Sequence, residues 1–252
     1  MRANHIKDLW AEGRVATNIF LGLPDSFAAE IIAGQGWDGV TIDMQHGLID
    51  YQVGVTMLQA ISQFEATPMV RVPWNDPAII MKVLDAGAYG VICPMINNRE
   101  EAKRFVGACR YAPTGYRSTG PVRAAFYAGP DYHQHAAETI LTFAMIETQD
   151  GVDNVDEIFT TPGLDAVYIG PSDLSVSMGG LPGGDQRTPE VMAAIETILA
   201  AAKQHGIKAA IHAMTSEYAN EMIEKGFDLV TLSNEYRHMA TRAAQVLGEV
   251  KV

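Results

Sequence analysis

Eight short runs of β-branched and apolar residues recur along this chain, each followed by a longer segment whose apolar residues repeat at helical spacing. The runs cover residues 16–21, 39–43, 68–72, 90–94, 141–147, 166–170, 208–212 and 229–232. Predicted helices fill 26–35, 51–64, 77–86, 99–111, 152–159, 189–205, 216–225 and 237–247. Their ends carry the expected punctuation: Asp76-Pro77 and Thr188-Pro189 open helices, and Gly87, Gly206 and Gly226 follow the ends of others. Parallel strands joined by crossover helices close most simply as a barrel, so eight units in 252 residues predict one (β/α)8 TIM barrel domain over 1–252. An open doubly wound sheet is the competing architecture. It lacks its phosphate-binding turn here, because Leu21-Gly22-Leu23-Pro24 is not a G-x-G-x-x-G.

Charge narrows the range of partners. A formal net charge of −12 argues against nucleic acid or an anionic membrane, both of which require clustered Lys and Arg. No apolar run approaches the roughly 18 residues needed to span a bilayer, and residues 1–9 contain no signal-peptide core, so the expectation is a cytoplasmic protein. Cys93 and Cys109 match no zinc spacing and read as buried thiols. The stretch 112–137, with three glycines and three prolines around Arg117, Arg123 and Tyr127, is expected to be a long functional loop, and 178–187 a glycine-rich surface loop.

In a barrel all C-terminal strand ends share one mouth. That convergence gathers Asp43 and His46 after the second strand, Arg71 in the third, Glu147 ending the fifth and Asp173 after the sixth. Glu147 and Asp173 are hard oxygen ligands with no neighbouring His or Cys, which suits a Mg2+ or Mn2+ type ion; a proton-sharing carboxylate pair or two unrelated helix caps are the other readings. Asp43 and His46 suit an oriented base, the carboxylate holding one ring nitrogen. Arg71, the one cation in an apolar strand, calls for an anion, either a structural acid or a developing oxyanion.

No lysine is predicted at the mouth. Lys7, Lys82, Lys103, Lys203, Lys225 and Lys251 fall in helices or tails, and Lys208 starts the seventh strand, which disfavours imine chemistry. The turns His212-Ala213-Met214 and Ser233-Asn234-Glu235 lack the glycines of a phosphate cradle, so an unphosphorylated substrate is expected, with His212 as a further pocket candidate.

Several of these stretches resemble the HpcH/HpaI aldolase family of metal-dependent pyruvate aldolases. They are Asp43-Met44-Gln45-His46, Val70-Arg71-Val72-Pro73, Arg110-Tyr111-Ala112-Pro113-Thr114-Gly115-Tyr116-Arg117, Ile146-Glu147-Thr148, Gly151-Val152-Asp153-Asn154-Val155 and Gly170-Pro171-Ser172-Asp173-Leu174-Ser175. The resemblance implies reversible aldol cleavage of 4-hydroxy-2-oxo acids to pyruvate and an aldehyde. It assigns Glu147 and Asp173 to a divalent metal (Mg2+, Mn2+ or Co2+), His46 and Asp43 to a base dyad, Arg71 to the enolate, and Gly170, Pro171 and Ser172 to the pyruvate carboxylate. It also implies a homohexamer exchanging its last helix, with the long loop helping to build an adjacent site. Arg123, with Arg117 and Tyr127, is a candidate selector of the aldehyde or an interface anchor.

This chain departs from the family pattern at Gln45, where a glutamate is common, and at Met145, where a glutamine is common. Oxaloacetate decarboxylation, lysis of a CoA ester, and a non-catalytic keto-acid binder are the alternative functions.

Overall fold

The computed structural model describes residues 1–250, so Lys251 lies outside the described residues. In chain order the elements are α1 (His5–Ala11), β1 (Ala16–Leu21), α2 (Ser26–Ala33), β2 (Gly39–Asp43), α3 (Tyr51–Ile61), β3 (Thr67–Arg71), α4 (Pro77–Asp85), β4 (Gly90–Cys93), α5 (Arg99–Cys109), α6 (Val122–Ala128), α7 (Tyr132–Thr139), β5 (Leu141–Ile146), α8 (Gln149–Asp153), α9 (Val155–Phe159), β6 (Ala166–Ile169), α10 (Pro171–Ser177), α11 (Pro189–His205), β7 (Lys208–Ala213), α12 (Ser216–Lys225), β8 (Leu229–Asn234) and α13 (Glu235–Glu249). Each strand pairs in parallel with the next, and β8 returns to β1, so the predicted barrel closes.

Strands covered on both faces are mostly apolar, and two cores result. One cluster joins Phe20, Met69, Ile92, Phe143, Met145, Tyr168 and Leu229 inside the barrel. The other packs residues such as Val40, Ile42, Val70 and Val91 against the surrounding helices. Helix α1, which the sequence pattern did not predict, plugs the N-terminal end. Its Trp10 meets the Phe143 ring edge-on at 6.1 Å and donates its indole N–H to the Asp228 carbonyl at 2.9 Å. With seven residues it is too short to show a helical period, and tertiary packing stabilises it.

The closing seam carries buried polar groups beside a register shift between Asn18 and Phe20. Asn18 donates to the Thr231 hydroxyl and accepts from that of Thr41, each at 2.9 Å, which ties β8, β1 and β2 together inside the barrel. At the C-terminal end, the buried Glu235 carboxylate accepts the backbone N–H of Gly22 at 2.8 Å and of Leu23 at 2.7 Å.

The opposite end is organised by a repeated device, an aspartate just before a strand that clamps the strand preceding it. Asp38 accepts from the Thr17 amide and hydroxyl, Asp165 from those of Thr142, and Asp228 from the Ala209 amide. Lys208 pairs with Asp228 at 2.7 Å on this face, remote from the mouth as predicted.

Several expectations need correction. Residues 112–137 are not one loop: α6 and most of α7 lie within them. Arg117 pins the stretch by bonding Asp85 at 2.7 Å and the Tyr132 hydroxyl at 3.0 Å with its side chain fully buried. The predicted helix 152–159 breaks at Asn154 into α8 and α9. Residues 171–177, given no element in the sequence, form α10, and Asp173, after the sixth strand as expected, sits in its first turn. Thr188 precedes α11, but its side chain makes no cap bond.

Asp165→Ala should therefore destabilise more than a surface change. It strips acceptors from Thr142 and leaves the buried Arg110 guanidinium, 2.7 Å from Asp165, without its carboxylate. A loss of about 3–5 kcal/mol is expected in chemical denaturation, because breaking a buried pair strands its charge.

Candidate active site

Register places the first functional pair. Asp43 and Arg71 are direct partners on β2 and β3, the last residues of both strands. The Arg71 guanidinium grips the carboxylate with two bonds, Nε 2.9 Å from Oδ1 and Nη2 2.6 Å from Oδ2. Burial opposes the arginine charge, and Asp43 more than offsets this, holding the guanidinium above its ordinary pKa. The Arg71 carbon also sits 4.7 Å above the Phe20 ring.

The anion that Arg71 requires is thus a structural acid, and this alters the expected dyad. The Asp43 carboxylate also accepts the backbone N–H of Gln45 at 3.1 Å and of His46 at 3.3 Å, and it does not bond the His46 ring. Asp43 shapes the turn that presents His46, whose exposed ring has no protein hydrogen bond among the described residues. Gln45 leaves its buried Oε1 without a partner.

On the far side, Glu147 immediately follows β5 and is 2% exposed. One carboxylate oxygen accepts the Met95 amide at 2.9 Å. Burial, and then the charge of Asp173, push its pKa up to about 7 against the pull of that amide and of Arg71. The other oxygen lies under Gly170, where a Cβ would come within 2.6 Å of it, so only glycine lets the β6 turn cross the carboxylate. Asp173 is exposed in the first turn of α10 and forms no ion pair or side-chain hydrogen bond among the described residues.

A cavity of about 660 Å3 lies at this mouth. Asp43, His46, Arg71, Gly170, Pro171, Ser172 and Asp173 line it, while Glu147 sits beneath the Gly170 wall. His212 also lines it; burial, and then the charge of Arg71, lower its pKa to about 4, so the ring is neutral and lies 3.3 Å from the Tyr168 hydroxyl. No lysine lines the cavity.

Arg123 is elsewhere, against expectation. Its guanidinium bonds the carbonyls of Ala86 and Leu58 and the Ser62 hydroxyl, joining the ends of α3 and α4 on the outside of the barrel. Sequence reasoning also missed wall residues. Phe20 and Tyr168 read as ordinary strand residues, Tyr236 fell in no predicted element, and Arg237 read as the start of an outer helix. A rule that the residues after every strand reach the mouth would have found the last two.

Comparison with known proteins agrees with this geometry. A family model described as HpcH/HpaI aldolase/citrate lyase matches residues 17–241. The chain is 40% identical to a hydroxypyruvate/pyruvate aldolase of Rhizorhabdus wittichii over 98% of this chain and 99% of that one. It is 37% identical to a 4-hydroxy-2-oxo-heptane-1,7-dioate aldolase of Salmonella dublin, over 95% of this chain and 94% of that one. A crystal structure of an HpcH/HpaI aldolase/citrate lyase family protein from Burkholderia cenocepacia J2315 superposes with a TM-score of 0.92 at 33% identity, covering 99% and 100% of the two chains.

The raised pKa of Glu147 makes stability depend on pH. Below 4.5 the group is protonated in folded and unfolded chains alike. As pH rises toward 7 the unfolded chain loses its proton first, so folding is progressively opposed, by at most about 3 kcal/mol above pH 7. With chelator present, Glu147→Gln should raise Tm relative to the parent more at pH 8 than at pH 5. A difference independent of pH would contradict the assigned burial.

Proposed function

The chain belongs to the HpcH/HpaI aldolase/citrate lyase family, and from that premise we propose that it is a carbon–carbon lyase that reversibly cleaves 4-hydroxy-2-oxo acids to pyruvate and an aldehyde. The observation that carries this reading is the convergence at one mouth of the Asp43–Arg71 pair, a histidine ring without a partner among the described residues, and two mutually repelling carboxylates.

The donor set suits a hard divalent cation. Glu147 keeps one oxygen free of any donor among the described residues, Asp173 is unpaired, and their charges repel. No cluster of three or more His, Cys, Asp or Glu fit to hold a metal occurs among the described residues, so substrate and water oxygens would complete the shell, as Mg2+-type ions accept. A cation of the Mg2+, Mn2+ or Co2+ class held by Glu147 and Asp173 would supply Lewis acidity, polarising the keto oxygen and acidifying the adjacent methyl group.

The chain's own residues do the rest. Gly170 N–H bonds the Ile146 carbonyl at 3.3 Å and Pro171 has no N–H, so the amides of Ser172 and Asp173 are the free donors for the pyruvate carboxylate. Gly170 and Pro171 contribute shape. His46 removes the methyl proton. Arg71, held by two bonds to Asp43, directs its remaining Nη1 at the oxygen on which enolate charge develops. Asp43 acts as a positioning residue for both. Attack of the enolate carbon on the aldehyde forms the C–C bond, and the new alkoxide takes up a proton; cleavage runs these steps in reverse.

The assembly we propose is a homohexamer in which α13 is exchanged between neighbours. Of its 15 residues only Glu235 is buried, and Met239 and Leu247 are 60% and 73% exposed. An amphipathic helix with its apolar face in water gains little from its own chain, and a second copy supplies the cover. No helix among the described residues is long and apolar enough to cross a membrane, consistent with the cytoplasmic location we propose.

Exchange of the pyruvate methyl protons in deuterated water isolates the proton-transfer step. Wild-type protein with Mn2+ should exchange and chelator should stop it, while His46→Ala should slow exchange by about 10²–10⁴-fold. Undiminished exchange in His46→Ala removes the histidine from the mechanism. Light scattering should give six chain masses, and Leu247→Glu should lower that number.

A further inference from the structure

Aldol addition places negative charge on two oxygens in turn. Arg71 serves the first, the enolate oxygen at C2. The second is the aldehyde oxygen, which is an alkoxide once the C–C bond has formed and the C4 hydroxyl of the product after that. The cavity wall holds a donor suited to it, His212 on β7.

Hydrogen bonding fixes which nitrogen of His212 carries the proton. Its Nδ1 lies 3.3 Å from the hydroxyl of Tyr168, a side chain with no exposed surface. Burial keeps that phenol protonated, and the Thr231 hydroxyl bonds its oxygen as a donor does, pulling the pKa the other way. With its oxygen accepting from Thr231, the phenol gives its own proton to Nδ1. His212 is then the tautomer with its hydrogen on Nε2.

The same direction runs back through the closing seam of the barrel. Thr41 donates to Asn18 Oδ1, and Asn18 Nδ2 donates to the Thr231 hydroxyl, each at 2.9 Å, which leaves the Thr231 proton for Tyr168. A run of donors thus ends at the imidazole. Its Nε2 makes no hydrogen bond among the described residues and is open to the cavity that the ring lines.

Charge and position match the task. Burial, and then the charge of Arg71, keep the ring neutral at pH 7, and a neutral imidazole polarises a carbonyl oxygen through its N–H without competing as a base. The Arg71 guanidinium carbon and the His212 ring both pack on Phe20, 4.7 and 5.3 Å from its centre. One ring therefore spaces the two donors, as C3 spaces the C2 and C4 oxygens of a 4-hydroxy-2-oxo acid. We propose that His212 is a catalytic residue whose Nε2–H donates to the aldehyde oxygen as the C–C bond forms. The enolate supplies the electron pair of the new bond, the carbonyl π pair moves onto oxygen, and His212 holds that oxygen without giving up its proton. The proton that neutralises the alkoxide is the one His46 took from the methyl group. This rests on the aldolase reading above and adds a group to the same site.

The test compares full-length wild type, His212→Ala, His212→Gln and Tyr168→Phe, all with Mn2+, in two reactions: addition of pyruvate to acetaldehyde, and exchange of the pyruvate methyl protons in deuterated water. Exchange needs no aldehyde. His212→Ala should lower kcat for addition about 10²–10³-fold more than it lowers exchange, the cost of one oxyanion donor. His212→Gln, which keeps an N–H, should recover part of the loss, and Tyr168→Phe should fall between wild type and His212→Ala. Nitrogen-15 NMR at pH 7 should find the wild-type His212 ring protonated on Nε2 alone, and a mixture of tautomers in Tyr168→Phe.

Equal losses in exchange and addition would make the ring a packing group and overturn the proposal, as would a wild-type ring protonated on Nδ1. Normal exchange by wild type with undiminished addition by His212→Ala removes only this assignment, whereas absent exchange by wild type removes the aldolase reading and this one with it.

Discussion

The return of β8 to β1 is the pairing on which the rest of the molecule depends. A parallel sheet left open has two edges and no common rim. Once closed, it brings eight strand ends onto one circle. Closure here is secured at two depths. Asn18 links Thr231 and Thr41 inside the barrel, and Glu235 holds the amides after β1 at the rim. Both are buried polar contacts with their bonding groups satisfied, so they fix a single register where apolar packing alone would tolerate a slip.

The two ends of the barrel use acids in opposite ways. At the N-terminal end Asp38, Asp165 and Asp228 are bonded to the amide of the preceding strand, and their charge goes into holding strands together. At the mouth, Glu147 keeps one oxygen without a donor, and Asp173 has no partner among the described residues. Burial and mutual repulsion raise the pKa of Glu147, a cost that a structural acid would relieve with a hydrogen bond. Unrelieved charge at one end and relieved charge at the other distinguish the working face from the structural one.

Asp43 belongs to both categories. It neutralises the buried Arg71 and shapes the turn carrying His46, so a single carboxylate orients the cation and the base on either side of it. The reading of Asp43 as a ring-bonded dyad partner for His46 followed from their spacing of three. It failed because the cross-strand neighbour at the same register is a stronger partner: a guanidinium offers two charge-assisted bonds where an imidazole offers one.

The alternation of eight apolar runs with helical segments determined the barrel. The strand periods were legible to within a residue or two, because each run is bounded by glycine, proline or a helix cap. Asp43, His46, Arg71, Glu147 and Asp173 were legible as one site because they end or follow strands, and closure requires those ends to meet. What tertiary structure alone decided was who pairs with whom. Arg123 looked like a site residue in a polar stretch, yet it bonds carbonyls outside the barrel; Tyr236 carried no signal and Arg237 looked like the start of an outer helix, yet both wall the cavity. Local pattern records period and polarity, while partner choice depends on register and on the path of each loop, and these are set only when distant strands close the sheet.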